Sequence, residues 1–182
     1  MPNKEIEHLK DVTHQFQRFM CIHTIMLSLE GVPALYVHSL FGTQNDYDLY
    51  ERTDHNRSLN RGSIQLSEIS LSDQSNTQTL IFCELKKLIH IRKKQPAFHP
   101  NAVQFTLHLG SSLYGIWRQS LDKKQSIFCI TNLTSKKTKF SLLDLNLIGF
   151  DRWWDMISEV EIDDTTKDME LKPYQTIWLT NS

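Results

Sequence analysis

The chain has 182 residues, 40% of them hydrophobic and 23% charged, which is enough to bury a core in one or two compact domains. Its formal net charge is −1 and its Lys and Arg residues are dispersed, so it lacks the electrostatic footprint of a nucleic-acid or anionic-membrane binder and suits small neutral ligands. No run approaches about 18 apolar residues, and the polar opening MPNKEIEHLKDVTHQ does not read as a secretory signal, so a cytoplasmic setting is expected.

Apolar residues recur at Phe16, Phe19, Met20, Ile22, Met26, Leu27 and Leu29, and this spacing predicts a core helix over residues 16–29. Gly31 is placed to stop it by taking a left-handed conformation, and VPALYVH at 32–38 then reads as a strand. Because that run is nearly continuously apolar, both of its faces are expected to be buried, as in a parallel sheet or barrel. Helix, glycine and buried strand in that order are α/β grammar. From residue 39 to about 76 the periodicity vanishes, predicting a loop far longer than the usual connection of about 4–6 residues.

Ser75-Asn76-Thr77-Gln78 is a candidate capping box for a second helix carrying Leu80, Ile81, Leu85, Leu88 and Ile89 on one face. Arg92, Lys93 and Lys94 complement the negative end of its dipole, and Pro96 limits it to about Gln95. Beyond Pro100, β-rich segments at 103–109, 113–119, 126–132, 138–142, 152–157 and 174–180 are separated by turn signals such as Gly110-Ser111, which predicts a small antiparallel β-sandwich. The expected fold class is therefore α/β plus all-β, with domains at 1–100 and 101–182 meeting in a packed junction near Asn101.

Several chemistries find no motif. The three cysteines, Cys21, Cys83 and Cys129, are far apart and read as reduced thiols, with no disulfide framework or thiolate metal site. Eight histidines include no H-E-x-x-H, so neither a metal nor another cofactor is expected. Phosphate-loop and G-x-S-x-G patterns are also missing, which sets aside nucleotide and serine-hydrolase readings. Trp117, Trp153, Trp154 and Trp178 lie in the β-rich tail, where exposed indoles could hold sugars and buried ones fill a core. Strand alternation allows at most one of Trp153 and Trp154 to be core.

GVPALYVHSLFGTQNDYDLYERTDHNRSLNR, then IHIRKKQPAFHPNA, then a β-rich tail closing on LKPYQTIWLT together resemble the sucrose phosphorylases and related glucosyl phosphorylases of the α-amylase superfamily, glycoside hydrolase family 13. The resemblance runs from about Phe19 to Thr180, and H-S-L-F-G, N-D-Y and N-R-S-L-N-R at this spacing are its most specific parts. It implies that the helix and strand before the long loop are the last α/β unit of a (β/α)₈ TIM barrel, that the loop caps an active site, and that the tail is the C-terminal antiparallel domain. It also implies that the nucleophilic Asp, the acid/base Glu and the transition-state-stabilising Asp belong to earlier barrel strands, so no catalytic residue is expected in this chain. The family's upstream His-Asp pair has no counterpart here either.

Retaining glycosyl transfer needs two carboxyl groups about 5–5.5 Å apart. The loop offers Asp46, Asp48, Glu51 and Asp54, which read as solvated acids, with Asp46 a candidate substrate contact through the N-D-Y match. Arg57, Asn60 and Arg61 lie in a stretch resembling the family's R-x-I-N-R segment, which implies that they help hold the glucosyl unit, the alternative being surface arginines. A guanidinium suits that task because it donates several hydrogen bonds and stays charged. Tyr36 and His38 fall on one side of the expected strand, either flanking a sugar pocket or packing, and the same choice applies to Tyr47.

The leading expectation is the C-terminal portion of a retaining α-glucosyl-transferring enzyme, inactive alone. Its expected partners are an α-glucoside or sugar phosphate and the missing N-terminal barrel portion, with no nucleic acid and no membrane. The alternatives are a non-catalytic carbohydrate-binding or assembly module and a truncated gene product.

Overall fold

A computed structural model of the chain describes residues 14–64, 76–145 and 152–181. Contacts divide it into two compact units, one formed by residues 34–87 and the other by the segments before and after it. No helix of the described residues is long and apolar enough to cross a membrane.

In the larger unit, helix α1 spans Gln15–Ser28. Of the expected apolar stripe only Leu27 is fully buried; the rest of the buried face is Cys21, Thr24 and Ser28, while Ile22 remains 65% exposed. Small residues permit this close approach because their hydroxyls are satisfied within the helix: Thr24 Oγ1 donates to Met20 O at 2.7 Å and Ser28 Oγ to Thr24 O at 2.7 Å. Gly31 does adopt a left-handed conformation, φ 87°.

The expected strand at 32–38 is not formed. Residues 32–36 belong to no ladder, and Val37–Phe41 is instead a short helix, α2, with Val32 80% and Val37 48% exposed. A strand satisfies its peptide groups only through neighbouring strands, and this segment has none among the described residues, so VHSLF bonds locally.

The smaller unit is also more ordered than the predicted long loop. It contains α2, helix α3 at Tyr47–Thr53 and a 3₁₀ turn at Asn56–Asn60. Residues 65–75 of that predicted loop, including Ser75 of the expected capping box, lie outside the described residues. Helix α4, Thr77–Lys93, is capped by Asn76, whose Oδ1 accepts from Gln78 N at 2.8 Å. Ile81, Leu85, Leu88 and Arg92 form its buried stripe, and Pro96 follows within a 3₁₀ turn, Pro96–Phe98.

The remainder of the larger unit is a six-stranded antiparallel sheet in the order β1-β2-β3-β8-β5-β6 and a two-stranded sheet of β4 and β7. The strands are β1 Val103–Leu107, β2 Leu113–Gln119, β3 Ser126–Asn132, β4 Thr138–Ser141, β5 Trp153–Asp155, β6 Val160–Ile162, β7 Asp168–Leu171 and β8 Thr176–Thr180. Leu113, Phe128, Ile130, Phe140, Trp153, Leu171, Ile177 and Leu179 make one core shared by both sheets. On the other face of the large sheet, β3 and β8 meet α1, which is why all seven residues of β3 are buried. The predicted strand at 174–180 starts late because Tyr174 takes φ 56° in the turn that precedes β8.

Two buried arginines fasten the end of α1, Arg92 from α4 and Arg118 from β2 of this sheet. A helix leaves its last carbonyls unsatisfied. Here the Arg92 guanidinium donates to Leu27 O, to Leu29 O at 3.3 Å and to Gly31 O at 2.9 Å. Arg118, fully buried, donates to Ser28 O at 3.1 Å, His99 O at 3.1 Å and Ala102 O at 3.3 Å. Phe98 lies beside both guanidinia, 5.1 Å and 5.9 Å from ring centroid to guanidinium carbon. Burial holds both arginines below their ordinary basicity. Trp178 Nε1 closes the junction on Ser28 Oγ at 2.8 Å.

Candidate functional site

The short helices of the smaller unit enclose a polar depression of about 410 Å³, whose lining includes His38, Thr43, Gln44, Asp46, Tyr47 and Gln78. Each wall has a local cause. The sequence H-S-L-F-G ends α2 on Gly42 at φ 58°, with Gly42 N donating to Ser39 O at 3.2 Å and Thr43 N to His38 O at 3.0 Å, a left-handed helix end that glycine favours. A Cβ on Gly42 would also overlap Ile81 Cδ1, so the glycine lets α2 seat against α4. Phe41 and Phe82 stack beside it with centroids 5.2 Å apart.

Asp46 begins α3. Its Oδ1 accepts from Leu49 N at 2.8 Å, and its own N–H donates to Leu59 O at 2.7 Å, which ties N-D-Y to the 3₁₀ turn. Gly62 leaves room for the carboxylate: a Cβ there would stand 3.1 Å from Asp46 Oδ2. His38 Nδ1 and Thr43 Oγ1 share a hydrogen bond of 2.7 Å, which orients the imidazole along the wall. Tyr36 OH donates to Asn60 O at 3.3 Å, and its ring lies 5.1 Å from that of His38.

Of the six residues singled out in the sequence, Asp46 and His38 line the depression. Tyr36 and Asn60 meet each other outside that lining, and Arg57 and Arg61 are exposed on the 3₁₀ turn and at its end. Sequence reasoning passed over Thr43, Gln44, Ser63 and Gln78. Such neutral polar residues stand out in a sequence only by their place beside a motif, here next to N-D-Y and in the first turn of α4. The lining offers carboxylate and amide acceptors, amide and hydroxyl donors and one phenol ring, a set suited to the hydroxyls of a polar neutral ligand. Among the described residues no cluster of three or more His, Cys, Asp or Glu side chains could hold a metal ion.

No family model matches the chain. Curated relatives do. A glucosylglycerate phosphorylase of Escherichia coli K12 is 34% identical over 166 residues, covering 89% of this chain and 28% of the relative. A glucosylglycerate phosphorylase of Allomeiothermus silvanus is 33% identical over 181 residues, covering 98% of this chain and 29% of the relative. The chain thus spans under a third of the length of these relatives.

Among solved structures, AmyP in complex with maltose covers 91% of this chain, and 34% of its own, at a TM-score of 0.70 and 13% identity. Trehalose-6-phosphate hydrolase of Bacillus licheniformis covers 93%, and 39% of its own chain, at a TM-score of 0.62 and 19% identity. Homologues of glycoside hydrolase family 13 cover this chain, and the solved structures that share its fold are enzymes of the α-amylase family. Within it the chain matches a C-terminal part of a phosphorylase-like enzyme, and its named relatives are the glucosylglycerate phosphorylases.

Proposed function

We propose that the chain is the C-terminal portion of a retaining α-glucosyl-transferring enzyme. In this reading residues 1–100 complete a (β/α)₈ barrel with a loop over its mouth, and residues 101–182 are the antiparallel domain that supports it. The observation that carries the reading is the match over 98% of this chain to 29% of a glucosylglycerate phosphorylase. The catalytic carboxylates belong to other barrel strands, so the chain alone turns nothing over.

Its contribution is binding. Asp46, His38, Asn60, Tyr36, Arg57 and Arg61 gather around the sugar once the barrel is complete, and the capping bonds of Asp46 hold the loop in shape before substrate arrives, which lowers the ordering cost of binding. The names of the relatives point to glucosylglycerate and inorganic phosphate as substrates. Glycerate carries a carboxylate, and the guanidinia of Arg57 and Arg61 are well suited to it. Tyr36 and Val37, each about half exposed, offer apolar surface to the complementary polypeptide.

The test is a chimera in which this chain replaces the matching segment of the E. coli relative. Phosphorolysis of glucosylglycerate is expected, with KM for the glucoside rising at least tenfold in Arg57→Ala. A folded, soluble chimera without turnover would count against the proposal.

A further inference from the structure

The large sheet carries a second depression, within the larger unit and remote in sequence from the loop. It measures about 450 Å³, within the range of about 300–1,000 Å³ typical of ligand sites. Arg152, Trp153, Trp154, Glu159, Glu161 and Asn181 line it. We propose that it is a carbohydrate-binding site for a neutral oligosaccharide, separate from the sugar site proposed for the loop.

Strand geometry produces it. Trp153 turns into the shared core and is 1% exposed, whereas alternation sends Trp154 to the opposite face, where it stays 36% exposed. On β6 the residue directly opposite Trp154 is Glu161, and its carboxylate lies 3.8 Å from Arg152 Nε. Glu159 sits at φ 60° in the turn between β5 and β6, a conformation that an ordinary side chain adopts only when the surroundings impose it. Asp155, 3% exposed, imposes it: its carboxylate accepts from Ile157 N, Ser158 N, Ser158 Oγ and Trp178 N at 2.6–3.2 Å, and its carbonyl accepts from Glu159 N at 2.8 Å. The turn that presents Glu159 is therefore fixed from beneath.

The chemistry that fits is a pyranose. It offers an apolar C–H face to an indole and a rim of hydroxyls that donate to Glu159 and Glu161 and accept from Arg152 and Asn181. Two carboxylates against one guanidinium disfavour an anionic ligand. The competing occupant is a strand from another polypeptide, since β6 ends the sheet with Val160 55% exposed.

The experiment follows ¹⁵N-labelled full chain during titration with maltotetraose. The expected result is movement of the Trp154 indole and of amides at 152–161 and 181, with affinity falling about tenfold in Trp154→Ala and recovering in Trp154→Phe. Far-UV circular dichroism confirms that both variants fold. Movement confined to 36–64 would locate all sugar binding in the loop and overturn the proposal without touching the proposed enzyme role. So would no movement at tens of millimolar sugar, or self-association that Val160→Lys abolishes.

Discussion

Replacing Arg118 with methionine removes a fully buried guanidinium and leaves its hydrocarbon volume largely filled. Three carbonyls lose a donor, but His99 O also accepts from Ala102 N at 2.9 Å, so the loss falls on Ser28 O and Ala102 O. An orphaned buried carbonyl costs about 1–3 kcal/mol, and two cost about 2–6. Relief from burying a charge offsets part of this, so a net loss of about 2–4 kcal/mol is expected. Arg118→Lys should fall between wild type and Arg118→Met, because one ammonium can reach one carbonyl but cannot span the fork. Urea unfolding followed by tryptophan fluorescence measures both. A methionine variant within about 0.5 kcal/mol of wild type, smaller than the loss of even one buried hydrogen bond, would refute the claim that this guanidinium fastens α1 to the sheet.

Cys129 gives a pH-dependent signature. Burial pushes its thiol from 9.0 to about 12, so above pH 9 the unfolded chain releases a proton that the folded one keeps. Stability should fall as pH rises from 9 towards 12, by up to about 1.4 kcal/mol per pH unit from this group. Urea midpoints at pH 8 and pH 10 should therefore differ more in the wild type than in Cys129→Ala. In the smaller unit, Gly42→Ala meets both a left-handed backbone, costing about 1–2 kcal/mol, and Ile81 Cδ1. Amide exchange across 37–48 should accelerate, and Asp46→Ala should add a cap loss of about 1 kcal/mol seen at Leu49.

Much of the fold was legible because its signals are local. The 3.6-residue pattern of α4 appears as Ile81, Leu85 and Leu88, and β2 and β3 occupy the residues expected of them. Signals that depend on distant chain were misread. The apolar run at 32–38 looks like a buried strand, yet a strand exists only with neighbours. Strands β6 and β7 went unseen because Val160–Ile162 and Asp168–Leu171 are short and acidic, and only their partners make them strands. Most of the face that α1 buries was also missed, since Cys21, Thr24 and Ser28 carry weak hydropathy, and Ser28 is fixed by the distant Trp178 and Arg118. At the loop, the N-D-Y motif stood out, but not that Asp46 caps α3 there. Neutral polar lining residues such as Gln44 and Gln78 have no sequence signature of their own.

The central claim is that this chain helps to hold the sugar and does not attack it. An activated fluoroglucoside that accumulates the covalent glucosyl intermediate, followed by peptide mass spectrometry of the active chimera, locates the nucleophile. The account predicts that the label lies in the barrel segment donated by the E. coli relative and that the purified chain alone stays unlabelled. A glucosyl adduct on Asp46, Asp48, Glu51 or Asp54 would contradict it.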